Sequence, residues 1–246
     1  MLHYEIDGPA DARPVVLAGS LGTTLEMWDP QVGKLAEHFR VVRFDHRGHG
    51  RSPVNGSCSI ADLGGDVLEL LDTLELSKVS FAGLSLGGMV GMWLASHAPE
   101  RIDRLALLCT SAKLGTPASW SERAEAVRAG GTVSIAEAAA ARWFTPAFTG
   151  RGPYLSMLAG IPAEGYAACC EAIGAMDLRP DLPSITAPTL VIAGADDPAT
   201  PPEHAERIVE GISGARLAVL PGAAHLANVE RPEEVSRLLV GHFLVN

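Results

Sequence analysis

Residues 79–95 decide the fold and read Val-Ser-Phe-Ala-Gly-Leu-Ser-Leu-Gly-Gly-Met-Val-Gly-Met-Trp-Leu-Ala. The first four form a short apolar run typical of a strand, and the residues that follow Gly87 have the pattern of a helix. Between them, Gly83-x-Ser85-x-Gly87 is the pattern of a serine held on a sharp strand-to-helix turn. Both glycines must lack bulk for strand and helix to approach so closely, and the strained turn exposes the Ser85 hydroxyl. Because five-residue matches arise by chance, the meaning of the pattern depends on the residues downstream.

Composition sets broad limits on the class of protein. A chain of 246 residues, 47% hydrophobic and 20% charged, can form one globular domain with a modest insertion. The formal net charge of −10 argues against nucleic acid as a partner. No apolar run reaches the roughly 18–20 residues of a membrane helix, and no signal peptide is visible, so we expect a cytoplasmic protein with no membrane association. Its oligomeric state is left open.

The cysteines also indicate a cytoplasmic protein. The four cysteines contain no C-x-x-C pair, and a vicinal Cys169-Cys170 is a poor candidate for a disulfide. Reduced thiols, as in a cytoplasm, are therefore expected.

Short aliphatic runs alternate with longer helical patterns, which predicts an α/β fold with a mainly parallel sheet flanked by helices. The predicted strands are Pro14–Ala18, Arg40–Phe44, Val79–Ala82, Arg104–Cys109, Thr189–Ala193 and Arg216–Leu220. The predicted helices are Leu25–His38, Ile60–Leu74, Leu86–His97, Pro202–Ile212 and Glu233–Phe243. Two of the predicted helices begin with recognisable start signals. One is a capping box at Thr200-Pro201-Pro202-Glu203, and the other is Pro232 followed by acidic residues.

The alternation stops between residues 113 and 187, where helix formers such as Ser121–Ala129 and Ser134–Arg142 replace strands. We interpret this segment as a helical lid inserted between two parts of the core, residues 1–112 and 188–246. The alternative is that these helices only pack on a face of the sheet.

An acid and a histidine complete a candidate catalytic set with Ser85. Because a serine hydroxyl is a poor nucleophile, it needs a base to take its proton. His225, in a loop of small residues after the last strand, is the candidate base. Asp197 is the preferred acid that holds the imidazole, with the adjacent Asp196 as the alternative. The order Ser, Asp, His along the chain is that of the α/β-hydrolases.

Two backbone N–H groups are the candidates for an oxyanion hole. The turn at Ser85 aims the N–H of Leu86 into the site, and by position we assign the second donor to Leu21, in the loop after the first predicted strand. The alternative for that loop is a glycine-rich connection with no ligand. A metal site at His46 and His49 lacks a third ligand, so we interpret residues 45–52 as a structural turn below the site.

The motifs D-x-R-G-H-G-x-S, G-x-S-x-G and the late Gly-x-x-Asp with Ala-His resemble the α/β-hydrolase superfamily from end to end. The chain is most similar to the 3-oxoadipate enol-lactone hydrolases of aromatic catabolism, in both core and lid. The resembling segments are residues 20–31, 83–95, 142–148, 165–169 and 224–230. One departure is Gly19, where the subfamily often has a polar residue, and it borders the loop of the proposed oxyanion donor.

The resemblance implies hydrolysis of a small anionic lactone, a cyclic enol ester with a carboxymethyl arm, through an acyl-enzyme and with no metal or organic cofactor. Arg142 is the candidate for binding the carboxylate and Trp143 for walling the ring. The alternative for Arg142 is a solvated lid residue.

Other functions of the same fold remain open at this point. A general esterase or perhydrolase, or a carbon–carbon bond hydrolase, would use the same three residues on another substrate. A ligand-binding module without catalysis is a further alternative. Epoxide and haloalkane hydrolases are disfavoured because they carry an aspartate where this chain has Ser85.

Overall fold

The computed structural model describes residues 1–245 and has a seven-stranded sheet at its centre. Its strands are β1 (Tyr4–Asp7), β2 (Pro14–Ala18), β3 (Arg40–Phe44), β4 (Val79–Leu84), β5 (Ile102–Leu108), β6 (Thr189–Gly194) and β7 (Arg216–Leu220). They lie in the order β1-β3-β2-β4-β5-β6-β7. Only β1 runs antiparallel to its neighbour, and all the other pairs are parallel. The predicted α/β class with a mainly parallel sheet is confirmed.

The strand that sequence analysis missed is β1. It has four residues at the edge of the sheet, and none of them is fully buried. Glu5 and Asp7 give it a polar character, so the apolar run that marks the central strands is absent. By contrast, β4 is buried along its whole length and extends to Leu84, two residues beyond its prediction.

Ten α-helices surround the described part of the sheet. They are α1 (Asp29–Ala36), α2 (Ile60–Thr73), α3 (Leu86–His97), α4 (Pro117–Gly130), α5 (Ala136–Trp143), α6 (Gly152–Ala159), α7 (Ala163–Ala175), α8 (Pro202–Gly211), α9 (Ala227–Glu230) and α10 (Pro232–Leu244). The prediction of one helix over residues 25–38 is wrong, because Leu25–Trp28 is a separate 3-10 turn. Pro30 has no N–H to donate to the preceding turn, so the α-helical ladder starts afresh at Asp29.

The predicted capping box at Thr200 is also wrong. The residue before α8 is Pro201, which makes no side-chain cap. The Thr200 hydroxyl instead donates a 2.8 Å hydrogen bond to Oδ2 of Asp197. A hydrogen bond to an ionised carboxylate is stronger than one at a neutral backbone amide, which explains the preference.

Helices α4 to α7 occupy the segment between β5 and β6, which contains no strand among the described residues. Helix α4 packs against α7, and α5 ends at Trp143. The carbonyl of Trp143 accepts a 2.9 Å hydrogen bond from the N–H of Leu226, in the loop after β7. This bond ties the helical segment to the core near His225. No helix within residues 1–245 is long and apolar enough to cross a membrane.

Candidate active site

Ser85 occupies a strained turn between β4 and α3. Its φ of 55° and ψ of −112° lie outside the regions that residues with a side chain normally adopt. Two buried hydrogen bonds hold it there: its N–H donates to the carbonyl of Leu108 at 2.9 Å, and Thr110 Oγ1 donates to its carbonyl at 2.7 Å. Such strain persists only where the surroundings enforce it, and it is concentrated at functional sites.

The flanking glycines are required by the close approach of the backbones. A Cβ on Gly83 would lie 2.1 Å from the carbonyl oxygen of Gly87, and a Cβ on Gly87 would lie 2.3 Å from that of Ala18. Neither position has room for a side chain. The G-x-S-x-G spacing therefore has a steric cause in this fold.

Asp197 and His225 form a buried pair at the carboxyl ends of the strands. Nδ1 of His225 lies 2.8 Å from Oδ2 of Asp197. Oδ1 of Asp197 accepts hydrogen bonds from the N–H groups of Ala199 and Thr200. Burial raises the pKa of Asp197, but the facing His225 ring and the Thr200 hydrogen bonds outweigh it and leave that pKa below its ordinary value. Asp196 is exposed and makes no contact of this kind.

The two candidate oxyanion donors come from neighbouring loops. Among the described residues, neither the N–H of Leu21 nor that of Leu86 meets a hydrogen-bond acceptor. Leu86 is the first residue of α3, where a helix leaves its N–H groups unsatisfied. The N–H of Gly87 donates to the carbonyl of Gly19 at 3.0 Å and so ties the two loops together.

A small cavity of about 40 Å³ brings most of these residues together. It is lined by Ser20, Leu21, Ser85, Leu114, Trp120, Arg123, Arg142, Trp143, Ile173, Ala199 and His225. Since this volume holds only a few waters at most, side chains that line the cavity must shift before a larger ligand can enter. A larger cavity of about 420 Å³ lies between Lys113, Arg179 and Arg207, but it contains none of the candidate catalytic groups.

Two arginines of the helical segment face this cavity without an acidic partner. Neither Arg123 nor Arg142 forms an ion pair within residues 1–245, and Nε of Arg123 is buried without a hydrogen-bond partner. The Arg123 guanidinium lies 5.3 Å from the ring centre of Trp120 and 5.4 Å from that of Tyr166, and it contacts the Tyr166 hydroxyl. Burial, and then the nearby Arg123, lower the pKa of Arg142.

Sequence analysis missed Arg123 and Trp120. They are three residues apart on α4, so they share one face of the helix, and that spacing was the available signal. It was overlooked because the predicted helix began at Ser121, one residue after Trp120.

Glu230 fixes the loop that carries His225. Its Oε2 accepts from the N–H of Ala224, and its Oε1 accepts from the N–H and the hydroxyl of Thr145. One carboxylate therefore joins the histidine loop to the chain just after Trp143. Within residues 1–245, no three His, Cys, Asp or Glu side chains converge to hold a metal ion.

Three buried histidines make the fold sensitive to acid. Burial lowers the pKa of His46 to about 4, of His49 to about 3 and of His242 to about 4. Because the unfolded chain takes up these protons near pH 6.5 and the folded chain does not, the free energy of unfolding falls as pH drops from about 6.5 to about 4. We expect a loss on the order of a few kcal/mol across this window, measured by denaturant unfolding.

The matched variant for this effect is His242→Gln, which removes one of the three titrating groups. It should make the free energy of unfolding less steeply dependent on pH between 6.5 and 4.5. An unchanged slope would show that His242 does not stay neutral in the folded protein.

Comparisons with known proteins agree with this fold. The profile of the alpha/beta hydrolase family matches residues 15–238. The chain is 43% identical to 3-oxoadipate enol-lactonase 2 of Acinetobacter baylyi, over 94% of this chain and 89% of that protein.

Solved structures agree as well. The enol-lactonase from Burkholderia xenovorans LB400 superposes with a TM-score of 0.96 at 42% identity, covering 99% of this chain and 96% of that one. A thermophilic esterase from Thermogutta terrifontis superposes with a TM-score of 0.91 at 30% identity, covering 98% and 92%. The fold, the strained serine turn and the family match lead to one conclusion: this chain belongs to the alpha/beta hydrolase family.

Proposed function

We propose that this protein hydrolyses 3-oxoadipate enol-lactone to 3-oxoadipate. The observation that carries the proposal is a cavity lined by Ser85, by His225, whose ring is hydrogen-bonded to Asp197, and by two unpaired arginines, Arg123 and Arg142. Once side chains shift to widen the cavity, this lining offers a nucleophile for a small ester and guanidinium groups for a carboxylate that the ester bears. Similarity to 3-oxoadipate enol-lactonases over nearly the whole chain supports the same substrate.

Acylation begins at Ser85. His225 takes the hydroxyl proton while Oγ attacks the lactone carbonyl, and Asp197 stabilises the imidazolium that forms. The negative charge that develops on the carbonyl oxygen is met by the N–H groups of Leu21 and Leu86. The ester bond between the carbonyl carbon and the ring oxygen then breaks. The enolate oxygen departs from the carbonyl carbon, but it remains covalently part of the acyl group because the ring has opened into a chain. An enolate is a better leaving group than an alkoxide, so it departs readily. It then takes the proton from the His225 imidazolium to give the enol, and His225 is neutral again for deacylation.

Deacylation uses the same residues in reverse. His225 takes a proton from water, which attacks the acyl carbon and releases Ser85 with its proton restored. The product therefore carries one new carboxylate, and its enol tautomerises to the ketone. One lactone and one water give one molecule of 3-oxoadipate.

The substrate carboxylate is held by the arginines of the lid. Arg142 binds it, and Arg123 on α4 adds a second guanidinium beside it. Trp143 walls the lactone ring. These two cations attract the substrate anion locally. The protein as a whole, with a net charge of −10, repels an anion.

The organisation around the site follows from the same proposal. Residues 113–187 act as the lid, between core segments 1–112 and 188–246. The enzyme works in the cytoplasm, a location supported by four cysteines that are buried and unpaired. Its partner is a small anionic lactone.

Replacement of either arginine by alanine should weaken binding of the charged substrate. We expect Arg142→Ala and Arg123→Ala each to raise KM for the lactone by about 10- to 100-fold, because a hydrogen bond between charged groups contributes about 1.5–3 kcal/mol. KM for a neutral aryl ester should change little. Steady-state kinetics on both substrates measures the difference.

Arg128→Ala is the matched control, since Arg128 lies on the same helix but pairs with Glu164 and Glu171 outside the cavity. It should leave both KM values nearly unchanged. Equal changes in KM for the lactone and the ester in the Arg142 and Arg123 variants would contradict their role in binding the carboxylate.

A panel of substrates tests the function itself. The proposal predicts that kcat/KM is highest for the enol-lactone, with the ring-opened product identified by chromatography. Fast cleavage of a neutral ester without lactone turnover would instead indicate a general esterase. Turnover of a vinylogous diketone would indicate a carbon–carbon bond hydrolase, and no turnover of any of them would favour a binding module.

A further inference from the structure

The turn of residues 45–52 contacts the loop of residues 19–22 through two buried histidines. Nε2 of His46 lies 3.0 Å from the carbonyl oxygen of Gly19. Nε2 of His49 lies 3.0 Å from the amide nitrogen of Gly22. The two contacts fall on either side of Leu21, whose N–H is the proposed oxyanion donor.

The chemistry of the partners sets opposite tautomers for the two rings. A carbonyl only accepts, so Nε2 of His46 must carry its proton and donate. An amide N–H only donates, so Nε2 of His49 must accept, and its proton lies on Nδ1, which faces the carbonyl of Arg47 at 3.2 Å. Both rings are almost completely buried, and burial keeps the pKa of each far below 7. The donor and acceptor roles are therefore fixed at neutral pH.

The turn itself is firmly held. Asp45 accepts the N–H of Leu25 at Oδ1, at 2.8 Å, and that of Arg51 at Oδ2, at 2.9 Å. On its other side the turn meets the lid, where a Cβ on Gly48 would lie 2.3 Å from the Cα of Gly165. The histidines therefore project from a segment that is fixed between the core and α7.

The loop of residues 19–22 needs such support from outside. Gly22 has a φ of +83°, so no side chain of its own limits the backbone there. The N–H of Leu21 has no acceptor among the described residues that would fix its direction. Yet an oxyanion donor is effective only about 2.7–3.1 Å from the place where the charge develops.

We propose that His46 and His49 are positioning residues that clamp the loop at Gly19 and Gly22 and so aim the N–H of Leu21 at the oxyanion. The inference rests on the proposed function, since it assumes acyl transfer at Ser85. It assigns to the polar turn a role in transition-state stabilisation, beyond that of a structural turn. His49 is the more sensitive of the two, because a protonated or apolar side chain there leaves the Gly22 amide unpaired.

Paired variants of His49 test the clamp through the N–H···N bond. His49→Gln keeps an acceptor at similar reach, whereas His49→Leu keeps the approximate volume and loses it. The control is His242→Leu, which removes another buried histidine. Nε2 of His242 donates to the carbonyl of Leu105 at 3.0 Å, and both residues are far along the chain from the loop of residues 19–22. Each variant is assayed on a neutral aryl ester and titrated with an alkyl boronic acid that forms a tetrahedral adduct with Ser85.

We expect His49→Leu to lower kcat by about 10- to 100-fold, with KM nearly unchanged, and to weaken the boronic acid by a similar factor. His49→Gln should restore most of kcat, and His242→Leu should lower stability while leaving kcat within about threefold of wild type. Equal losses of kcat in His49→Leu and His242→Leu, or no rescue by glutamine, would overturn the inference. Wild-type enzyme that neither cleaves the ester nor binds the boronic acid would refute the proposed function instead.

Nitrogen NMR on the wild-type enzyme decides the geometry even if a variant fails to fold. The clamp predicts an Nδ1–H tautomer for His49 at pH 7, and a coupling between its Nε2 and the Gly22 amide nitrogen across the hydrogen bond. An Nε2–H tautomer or a charged ring would overturn it.

Discussion

Ser85→Ala is expected to lower kcat for the lactone by about 10⁴- to 10⁶-fold, because no other group on the cavity wall can take the place of the nucleophile. The substitution removes one hydroxyl and adds no bulk, and alanine must adopt the same strained φ of 55°. The hydrogen bonds of residue 85 to Leu108 and Thr110 use its backbone and remain. The melting temperature should therefore change little, while turnover is lost.

Ser20→Ala is the matched control for this loss. Ser20 is also buried and lines the same cavity, but it lies outside the strained turn that carries Ser85. Its replacement should leave kcat within about tenfold, since only one neutral hydroxyl is removed beside the substrate. Comparable losses in the two variants would mean that Ser85 is not the nucleophile.

Asp197→Asn is expected to lower kcat by about 10³- to 10⁴-fold. Oδ1 of Asp197 accepts the N–H groups of Ala199 and Thr200, so the amide oxygen of asparagine must take that position. The amide NH₂ is then forced toward Nδ1 of His225, which must accept from it. The ring proton moves to Nε2, where it prevents His225 from acting as a base toward Ser85.

The adjacent carboxylate provides the control, because Asp196 is exposed and distinct from the His225 contact. Asp196→Asn should change kcat by less than about threefold, as expected for an exposed surface position. The ratio of kcat between the two asparagine variants therefore identifies the acid. A larger loss in the Asp196 variant would transfer the role to that residue.

The elements around Ser85 could be predicted because their cause is local. Steric exclusion at Gly83 and Gly87 produces a recognisable spacing in the sequence, and the apolar runs of the central strands reflect burial on both faces. Since the carboxyl ends of parallel strands meet at one edge of the sheet, the chain order Ser, Asp, His was enough to predict which loops come together.

The remaining features depend on contacts between distant parts of the chain. The bond from Gly22 to His49 joins residues 27 positions apart, and no local pattern predicts it. The same holds for Thr200, whose hydroxyl turns to Asp197 where a local rule predicts a helix cap. Arg123 became a candidate only when the packing of the helices placed it, with Arg142, on the wall of the cavity.

The most direct test of the central claim is to follow the ultraviolet absorbance of 3-oxoadipate enol-lactone with purified wild-type enzyme, beside Ser85→Ala and beside a neutral aryl ester. The proposed function predicts rapid loss of the lactone signal with wild type, no enzymatic loss with Ser85→Ala, and slow cleavage of the ester. Rapid cleavage of the ester with a stable lactone signal would contradict it.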